Sequence, residues 1–213
     1  MLLEVLMTLG DCGQDVSQAM AADFHQQERH YHRGHGDGHG RSYDAVRELI
    51  FRSGFSDGAR ACALKIYEYI AAAEAEVHGE NLDTIHFHEV GRDEAIKNAL
   101  GIGMALEAIR PDRILVSDIV DGKGSILCSH GEIPVPVPAV MALRAKSSFN
   151  FRQVDVNTEM VTPSGLAGLM GIGAEPAGPG VPAGNVVKKA EAAGRRKTGR
   201  GGLKACIIEA REK

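Results

Sequence analysis

The stretch best suited to chemistry is His-Phe-His-Glu-Val-Gly, residues His86–Gly91. Its alternation predicts an extended segment, in which side chains two residues apart point to the same side. His86 and His88 would then present two imidazoles together, while Phe87 anchors the segment in the core. Glu89 could add a carboxylate ligand or fix a histidine tautomer. The pattern also fits a polar strand face of hydrogen-bonded histidines, and imidazole does not choose among Zn, Ni, Cu and Fe.

A second pair with the same spacing is Cys128 and His130, on a predicted strand that ends at Gly131. Both side chains could face one pocket, and the glycine would permit a tight turn after them. A small buried cysteine and a hydrogen-bonded histidine explain the same residues without any ligand. The pair alone therefore leaves both interpretations open.

Histidine is concentrated in a glycine-rich segment over residues 30–40. The segment has neither helical nor strand periodicity, so we expect a loop or a disordered arm. Several imidazoles could bind one divalent cation, at the entropic cost of ordering a flexible chain. A solvated linker is the alternative. The candidate metal ligands in this arm are His30, His32, His35 and His39.

The sequence Thr162-Pro163-Ser164-Gly165 predicts a helix start, with Thr162 as the cap and Pro163 at the first position. Backbone N–H groups and the dipole at a helix start favour an anion. Thr162, Ser164 and Gly165 are therefore candidate phosphate contacts, although ordinary capping explains them as well. The Lys- and Arg-rich segment after Val186 could complete a phosphate site or form a solvated surface.

The elements that position these residues follow from hydrophobic periodicity. Apolar residues at three- and four-residue steps predict a helix over 59–77, capped by Ser56 or Asp57 and ended by Gly79. Further helices are predicted over 14–27, 46–50, 93–109 and 139–145 and from 163, and strands over 84–90, 113–120, 124–130, 150–156 and 203–210. The proline-alternating residues 133–140 predict an extended edge segment.

Helices and strands interleave, so the predicted fold class is α/β (mixed α+β), with a small mixed sheet. The first forty residues are interpreted as a polar region that lies ahead of the regular pattern beginning at Tyr43. The predicted organisation is a His/Gly-rich amino-terminal arm over 1–42 and an α/β domain over 43–213.

Composition excludes several classes of function. A net charge of −4, 5% aromatic residues and no tryptophan argue against nucleic-acid binding. The four cysteines are scattered and form no C-x-x-C pair, which favours a reducing cytoplasm. No apolar stretch is long enough for a membrane span, and we find no Walker A loop, Rossmann fingerprint or G-x-S-x-G elbow.

Several separate stretches together resemble one family. HFHEVG (86–91), HGEIPVPVPAV (130–140) and EMVTPSGLA (159–167) occur in this order and resemble the LarC nickel-insertion family. AAAEAEVHG (71–79) and the His-rich arm resemble the family's segments ahead of HFHEVG. The resemblance spans residues 28–210 and matches the amino-terminal part of the family.

The resemblance implies a role in making the nickel-pincer cofactor. Members insert nickel into pyridinium-3,5-bisthiocarboxylic acid mononucleotide, with CTP consumed and Mn or Mg assisting. On this chain it implies a metal or active-site cluster with His86 and His88 on the metal and with Glu89 and His130 in catalytic roles. It also implies phosphate contacts at Thr162, Ser164 and Gly165, and a nickel-gathering arm.

The chain departs from the family pattern at several points. After HFHEVG the family usually reads Ala-Val-Asp-Ser-Ile-Val-Asp, whereas residues 92–98 read Arg-Asp-Glu-Ala-Ile-Lys-Asn and lack the serine and one carboxylate. The family's Asp-Cys-Phe-Ser-Gly-type opening is not reproduced. We expect a partner to supply the carboxy-terminal CTP-binding domain, and self-association stays open. The expected activity is nickel insertion with that partner; the alternative is a non-catalytic nickel-storage accessory protein.

Overall fold

The structure is a computed structural model that describes residues 1–31, 41–87, 89–128, 131–178 and 183–210, without the side chains of 23–31. The helices are α1 (Leu2–Gly10), α2 (Gly13–Tyr31), α3 (Tyr43–Arg52), α4 (Asp57–His78), α5 (Asp93–Ile109), α6 (Pro138–Lys146) and α7 (Pro163–Gly171). The strands are β1 (Arg41–Ser42), β2 (His86–Phe87), β3 (Leu115–Val116), β4 (Ile119–Asp121), β5 (Ser125–Cys128), β6 (Gly131–Pro134), β7 (Phe151–Gln153), β8 (Glu175–Pro176), β9 (Gly184–Ala192) and β10 (Leu203–Ala210).

Helix α4 is the centre of the core and packs against α3, α5, α6 and α7. Its predicted apolar face is confirmed, because Ile66 and Ile70 are buried along it. The predicted caps are confirmed as well: the Ser56 hydroxyl accepts from the Ala59 N–H at 3.1 Å, and Gly79 ends the helix with φ 66°. A Cβ at Gly103 of α5 would lie 2.6 Å from the Ala59 Cα, so this glycine lets α4 and α5 approach closely.

The first twenty residues belong to the same core. Leu6 of α1 and Val16 of α2 are buried against it, so the expected polar character of this region is wrong for α1. The predicted helix over 14–27 is confirmed as α2, which continues to Tyr31 and so takes in the first two residues of the predicted loop. The division into an arm over 1–42 and a domain over 43–213 stays a prediction.

The strands form five two-stranded ladders within the described ranges, so the mixed α/β class is confirmed while the ladders replace the single small sheet that we predicted. The predicted strand over 113–120 is two strands, because β3 pairs with β8 and β4 pairs with β7, both in parallel. The strand predicted over 203–210 is confirmed as β10, and the helix predicted over 139–145 is confirmed as α6. No helix in these ranges combines the length and the apolar character that a membrane crossing needs.

The last ladder is a long antiparallel hairpin of β9 and β10, with Leu203 opposite Ala192 and Ala210 opposite Gly184. Its inner face packs Ala190 and Ala192 against the α1 side chains Val5 and Leu9. The loop joining the two strands, residues 193–202, is called the hairpin loop below. Strand β9 was not predicted, because its lysines, alanines and single asparagine do not have the pattern of a typical strand.

Candidate functional site

The HFHEVG motif begins with an anchored strand. Ile85 and Phe87 are buried while His86 between them is exposed, which confirms the alternation over these three residues. The strand predicted over 84–90 is shorter, because Thr84, Glu89 and Val90 lie in turns and bends on either side of His86–Phe87. The Phe87 ring packs at 6.0 Å from the Tyr43 ring and 5.9 Å from the Tyr67 ring. Strand β2 pairs antiparallel with β1. Phe87 therefore fixes the backbone that carries His86 towards solvent.

The turn after this strand is held by two further side chains. The buried Tyr67 hydroxyl donates to the Val90 carbonyl at 2.7 Å, and burial raises the pKa of Tyr67, so the hydroxyl remains a donor. Arg41 donates to the Gly91 carbonyl at 2.9 Å and pairs with Asp93 at the start of α5. The backbone of the motif is therefore fixed at its start by Phe87 and at its end by Tyr67 and Arg41.

The glycine of the motif is required by close packing. A Cβ at Gly91 would lie 2.7 Å from the carbonyl oxygen of Phe87 and 2.9 Å from its Cβ. Only glycine lets the chain fold back on Phe87 at this distance. The same motif therefore contains both a candidate ligand strand and the tight turn that leads into α5.

The predicted metal ligands are only partly described. Glu89 is exposed, like His86. Within the described ranges, no group of three or more His, Cys, Asp or Glu side chains is arranged to hold a metal ion. Residues His32, His35, His39, His88 and His130, and the side chain of His30, lie outside the described part of the chain. The metal cluster and the catalytic roles of Glu89 and His130 therefore stay predictions.

The Cys128 region is the closing end of a hairpin. Strands β5 and β6 are antiparallel, and their last pair joins Cys128 to Gly131. Gly131 has φ 87°, the left-handed conformation that glycine adopts without strain, as expected for a tight turn at this point. Cys128 is half-buried.

The start of α7 is capped as predicted. The Thr162 hydroxyl accepts from the Gly165 N–H at 3.2 Å, and Pro163 occupies the first turn. Thr162 and Ser164 are exposed, with their hydroxyl oxygens 3.5 Å apart. Capping thus satisfies the Gly165 N–H, and the phosphate role of these three residues stays a prediction.

Asp121, which the sequence does not single out, holds the backbone just before α7. It is the last residue of β4 and only 2% exposed. Its Oδ1 accepts from the backbone N–H groups of Gly122 at 2.8 Å, Met160 at 2.9 Å and Val161 at 3.1 Å. Its Oδ2 has no hydrogen-bond partner within the described residues. The composition of residues 121–124, Asp-Gly-Lys-Gly, favours a turn. The sequence does not indicate the partners of Asp121, since residues 160 and 161 are distant along the chain.

The hairpin loop brings two arginines to the motifs. Arg196 donates to Glu159 at 2.7 Å and to the Thr158 hydroxyl at 3.3 Å, just before the Thr162 cap. Arg195 pairs at 3.3 Å with Glu94 in the first turn of α5, close behind the HFHEVG motif. One basic loop therefore contacts the first turn of α5 and the segment just before α7.

The resemblance also implies Mn or Mg together with CTP. The described residues contain no group of three His, Cys, Asp or Glu side chains that could hold such a metal ion. The sequence contains no Walker A loop that could bind the phosphates of CTP. The described residues therefore provide no recognisable site for CTP or its metal ion.

Comparison with known proteins gives the family. A sequence model of the family described as "Nickel insertion protein" matches residues 4–212. The pyridinium-3,5-bisthiocarboxylic acid mononucleotide nickel insertion protein of Acetivibrio thermocellus is 37% identical over 189 residues, covering 88% of this chain and 46% of that protein. The protein of the same name from Lactiplantibacillus plantarum is 43% identical over 122 residues, covering 57% of this chain and 29% of that protein.

A third relative, a putative nickel insertion protein of Enterococcus faecalis, is 40% identical over 123 residues, covering 57% of this chain and 38% of that protein. The chain thus spans less than half the length of these relatives. No solved structure matches the chain. Because the family model matches nearly all of the sequence, the chain belongs to the nickel insertion protein family.

Proposed function

We propose that this chain handles nickel in the synthesis of the nickel-pincer cofactor. Its relatives are named for inserting nickel into pyridinium-3,5-bisthiocarboxylic acid mononucleotide. The observation that carries the proposal is the family match over residues 4–212, which includes the anchored HFHEVG turn. The chain corresponds to part of a CTP-dependent insertase, and a LarC-like partner domain provides CTP binding.

The nickel end of the proposed site is the HFHEVG turn. Its imidazoles at His86 and His88 receive the ion, and Glu89 and His130 act beside it as acid–base or orienting groups. Neutral imidazole is a good ligand for nickel. The support is geometric, because Phe87 holds the strand while His86 is exposed, so a ligand can be presented without ordering a flexible chain.

The nucleotide end of the proposed site is the start of α7. The substrate carries one phosphate, to which the exposed Thr162 and Ser164 hydroxyls can donate at a helix start. A bound phosphate would take the Gly165 N–H over from the Thr162 hydroxyl, which now accepts from it. Arg196 of the hairpin loop bonds to Glu159 and Thr158, three and four residues before the Thr162 cap. A guanidinium at this place is suited to bidentate recognition of a phosphate.

Nickel binding tests the first half of the proposal. Untagged protein should bind nickel stoichiometrically after residues 25–40, the end of α2 and the His/Gly-rich part of the arm, are deleted, and the double variant His86→Ala/His88→Ala of that protein should lose the bound ion. His78→Ala is the matched control, since His78 lies at the end of α4 and pairs with Glu74. Binding that depends on the arm alone would contradict the HFHEVG site and favour the storage accessory.

Cofactor formation tests the second half. The chain is mixed with the bisthiocarboxylate mononucleotide, nickel, CTP and Mn or Mg, with and without a carboxy-terminal domain from a relative. We expect nickel-loaded cofactor, detected by mass spectrometry, only in the mixture with the added domain. If neither mixture forms it, the insertase role is wrong.

A further inference from the structure

The buried carboxylate of Asp121 is bonded to the backbone that leads into the proposed nucleotide end of the site. It accepts from the N–H groups of Met160 and Val161, the two residues immediately before the Thr162 cap. It also accepts from the Gly122 N–H. Hydrogen bonds to an ionised acceptor are about twice as strong as neutral ones. Asp121 therefore fixes the backbone at the entrance to α7.

The backbone around Asp121 is packed too closely to move independently. A Cβ at Gly122 would lie 1.9 Å from the Thr158 carbonyl oxygen and 2.5 Å from that of Val156. The Lys123 N–H donates to the Val156 carbonyl at 2.8 Å, and the Gln153 amide donates to the Gly122 carbonyl at 3.0 Å. The ends of β4 and β7 and the segment before α7 thus form one hydrogen-bonded unit.

This unit carries the side chain that holds Arg196. Glu159 precedes Met160 directly, its side chain is 12% exposed, and its carboxylate accepts from Arg196 at 2.7 Å. A carboxylate buried to this extent limits where the guanidinium can lie. The position of Arg196 therefore depends on Glu159, and the position of Glu159 depends on the backbone bonds made by Asp121.

We propose that Asp121 is a positioning residue for phosphate recognition: through the Met160 and Val161 N–H groups it sets Glu159, and through Glu159 it sets Arg196 on the segment that leads into α7. The inference rests on the proposed function, because it takes the α7 start as the phosphate end of the site. Asp121 and Glu159 orient the Arg196 guanidinium that would bind the phosphate. Asp121 itself does not touch the substrate.

The test is a double-mutant cycle on the affinity for nicotinic acid mononucleotide, a pyridinium mononucleotide with one phosphate. Asp121→Asn keeps the shape of the side chain and weakens its bonds, so we expect about fivefold weaker binding. Arg196→Ala should weaken binding about tenfold through loss of a charged contact. If Asp121 acts through Arg196, the double variant binds no more weakly than Arg196→Ala alone.

Matched controls separate positioning from general structure. Asp118→Asn removes the same charge at an exposed position on the neighbouring loop and should leave affinity unchanged. Lys197→Ala removes a positive charge from the exposed position next to Arg196 in the hairpin loop, and it should also leave the affinity unchanged. Measurements are made well below the melting temperature of each variant, so that a loss of stability alone does not change the affinity of the folded protein.

The outcomes are distinct. If the wild type binds neither the mononucleotide nor inorganic phosphate, the phosphate end of the proposed function is wrong. If the wild type binds and Asp121→Asn binds equally well, or if the two losses are additive in the double variant, the positioning role is overturned. If Asp121→Asn does not fold, wild-type NMR decides: the mononucleotide should shift the amide signals of Met160 and Val161, and unchanged signals would overturn the proposal.

Discussion

The two motif regions are held in opposite ways. The HFHEVG turn is anchored by an apolar ring, Phe87, and its polar side chain at 86 faces solvent. The start of α7 is anchored by a buried carboxylate, Asp121, and the Thr162 hydroxyl already caps its Gly165 N–H. The difference indicates that the turn holds its exposed side chains on an apolar base, whereas the helix start depends on a polar network that fixes its backbone.

The largest effect should come from removing the anchor of the turn. Phe87→Ala leaves a cavity between Tyr43 and Tyr67 and should lower the free energy of unfolding by about 3–5 kcal/mol. Urea denaturation measures this loss. Phe51→Ala is the control, because Phe51 is 71% exposed and its loss should cost less than about 1 kcal/mol. Equal losses in the two variants would contradict an apolar anchor at Phe87.

The next effect tests the hydrogen-bonded unit formed by the ends of β4 and β7 and the segment before α7. Gly122→Ala places a methyl group against the Thr158 and Val156 carbonyl oxygens and should cost about 2–3 kcal/mol, because backbone atoms cannot move aside as a flexible side chain can. Thermal and urea unfolding measure it. Gly13→Ala, whose Cβ would lie 4.0 Å from the nearest side-chain atom, should change stability by less than about 0.5 kcal/mol. A neutral Gly122→Ala would mean that the unit is loosely packed.

A smaller effect tests the hydroxyl that holds the turn. Tyr67→Phe leaves the Val90 carbonyl without its donor and should cost about 1–2 kcal/mol near pH 7. Tyr69→Phe is the control, since Tyr69 is only half-buried on the same helix. A cost no greater than that of the control would show that the hydroxyl does not hold the turn.

The same variant makes a prediction about pH. Burial raises the pKa of Tyr67 in the folded state, so above about pH 10 the unfolded chain loses this proton first. The unfolded state then binds fewer protons than the folded state, and stability falls as the pH rises. Tyr67→Phe should lose less stability than the wild type between about pH 10 and 11. Parallel stability curves for the two proteins would contradict this.

The smallest effect concerns the helix cap. Thr162→Ala removes the acceptor for the Gly165 N–H and should cost about 1 kcal/mol. Ser164→Ala, which removes an exposed hydroxyl that is not the cap, should cost less than half as much. If Thr162→Ala is neutral, the cap does not contribute to the stability of α7.

Local interactions made much of the fold predictable. Helix α4 followed from its apolar periodicity, and its caps at Ser56 and Gly79 lie next to it in the sequence, so local rules suffice. The same holds for the Thr162 cap and for the alternation around Phe87. Each of these predictions depends on residues within a few positions of one another.

Interactions between distant parts of the chain were not predictable. The split of the strand over 113–120 depends on separate partners, β7 and β8, which follow much later in the sequence. Asp121 gave no signal beyond a turn, because its partners Met160 and Val161 are 39 and 40 residues away. Arg196 could be recognised as basic, but only the hairpin packing shows that it meets Glu159.

The most direct test of the central claim is to locate the nickel ion. Crystals of the chain lacking residues 25–40, grown with one equivalent of nickel, are measured at the nickel absorption edge. We predict an anomalous peak bonded to the imidazole nitrogens of His86 and His88, with Glu89 or His130 beside it. A peak elsewhere on the protein, with the HFHEVG turn well ordered and without bound metal, would contradict the account.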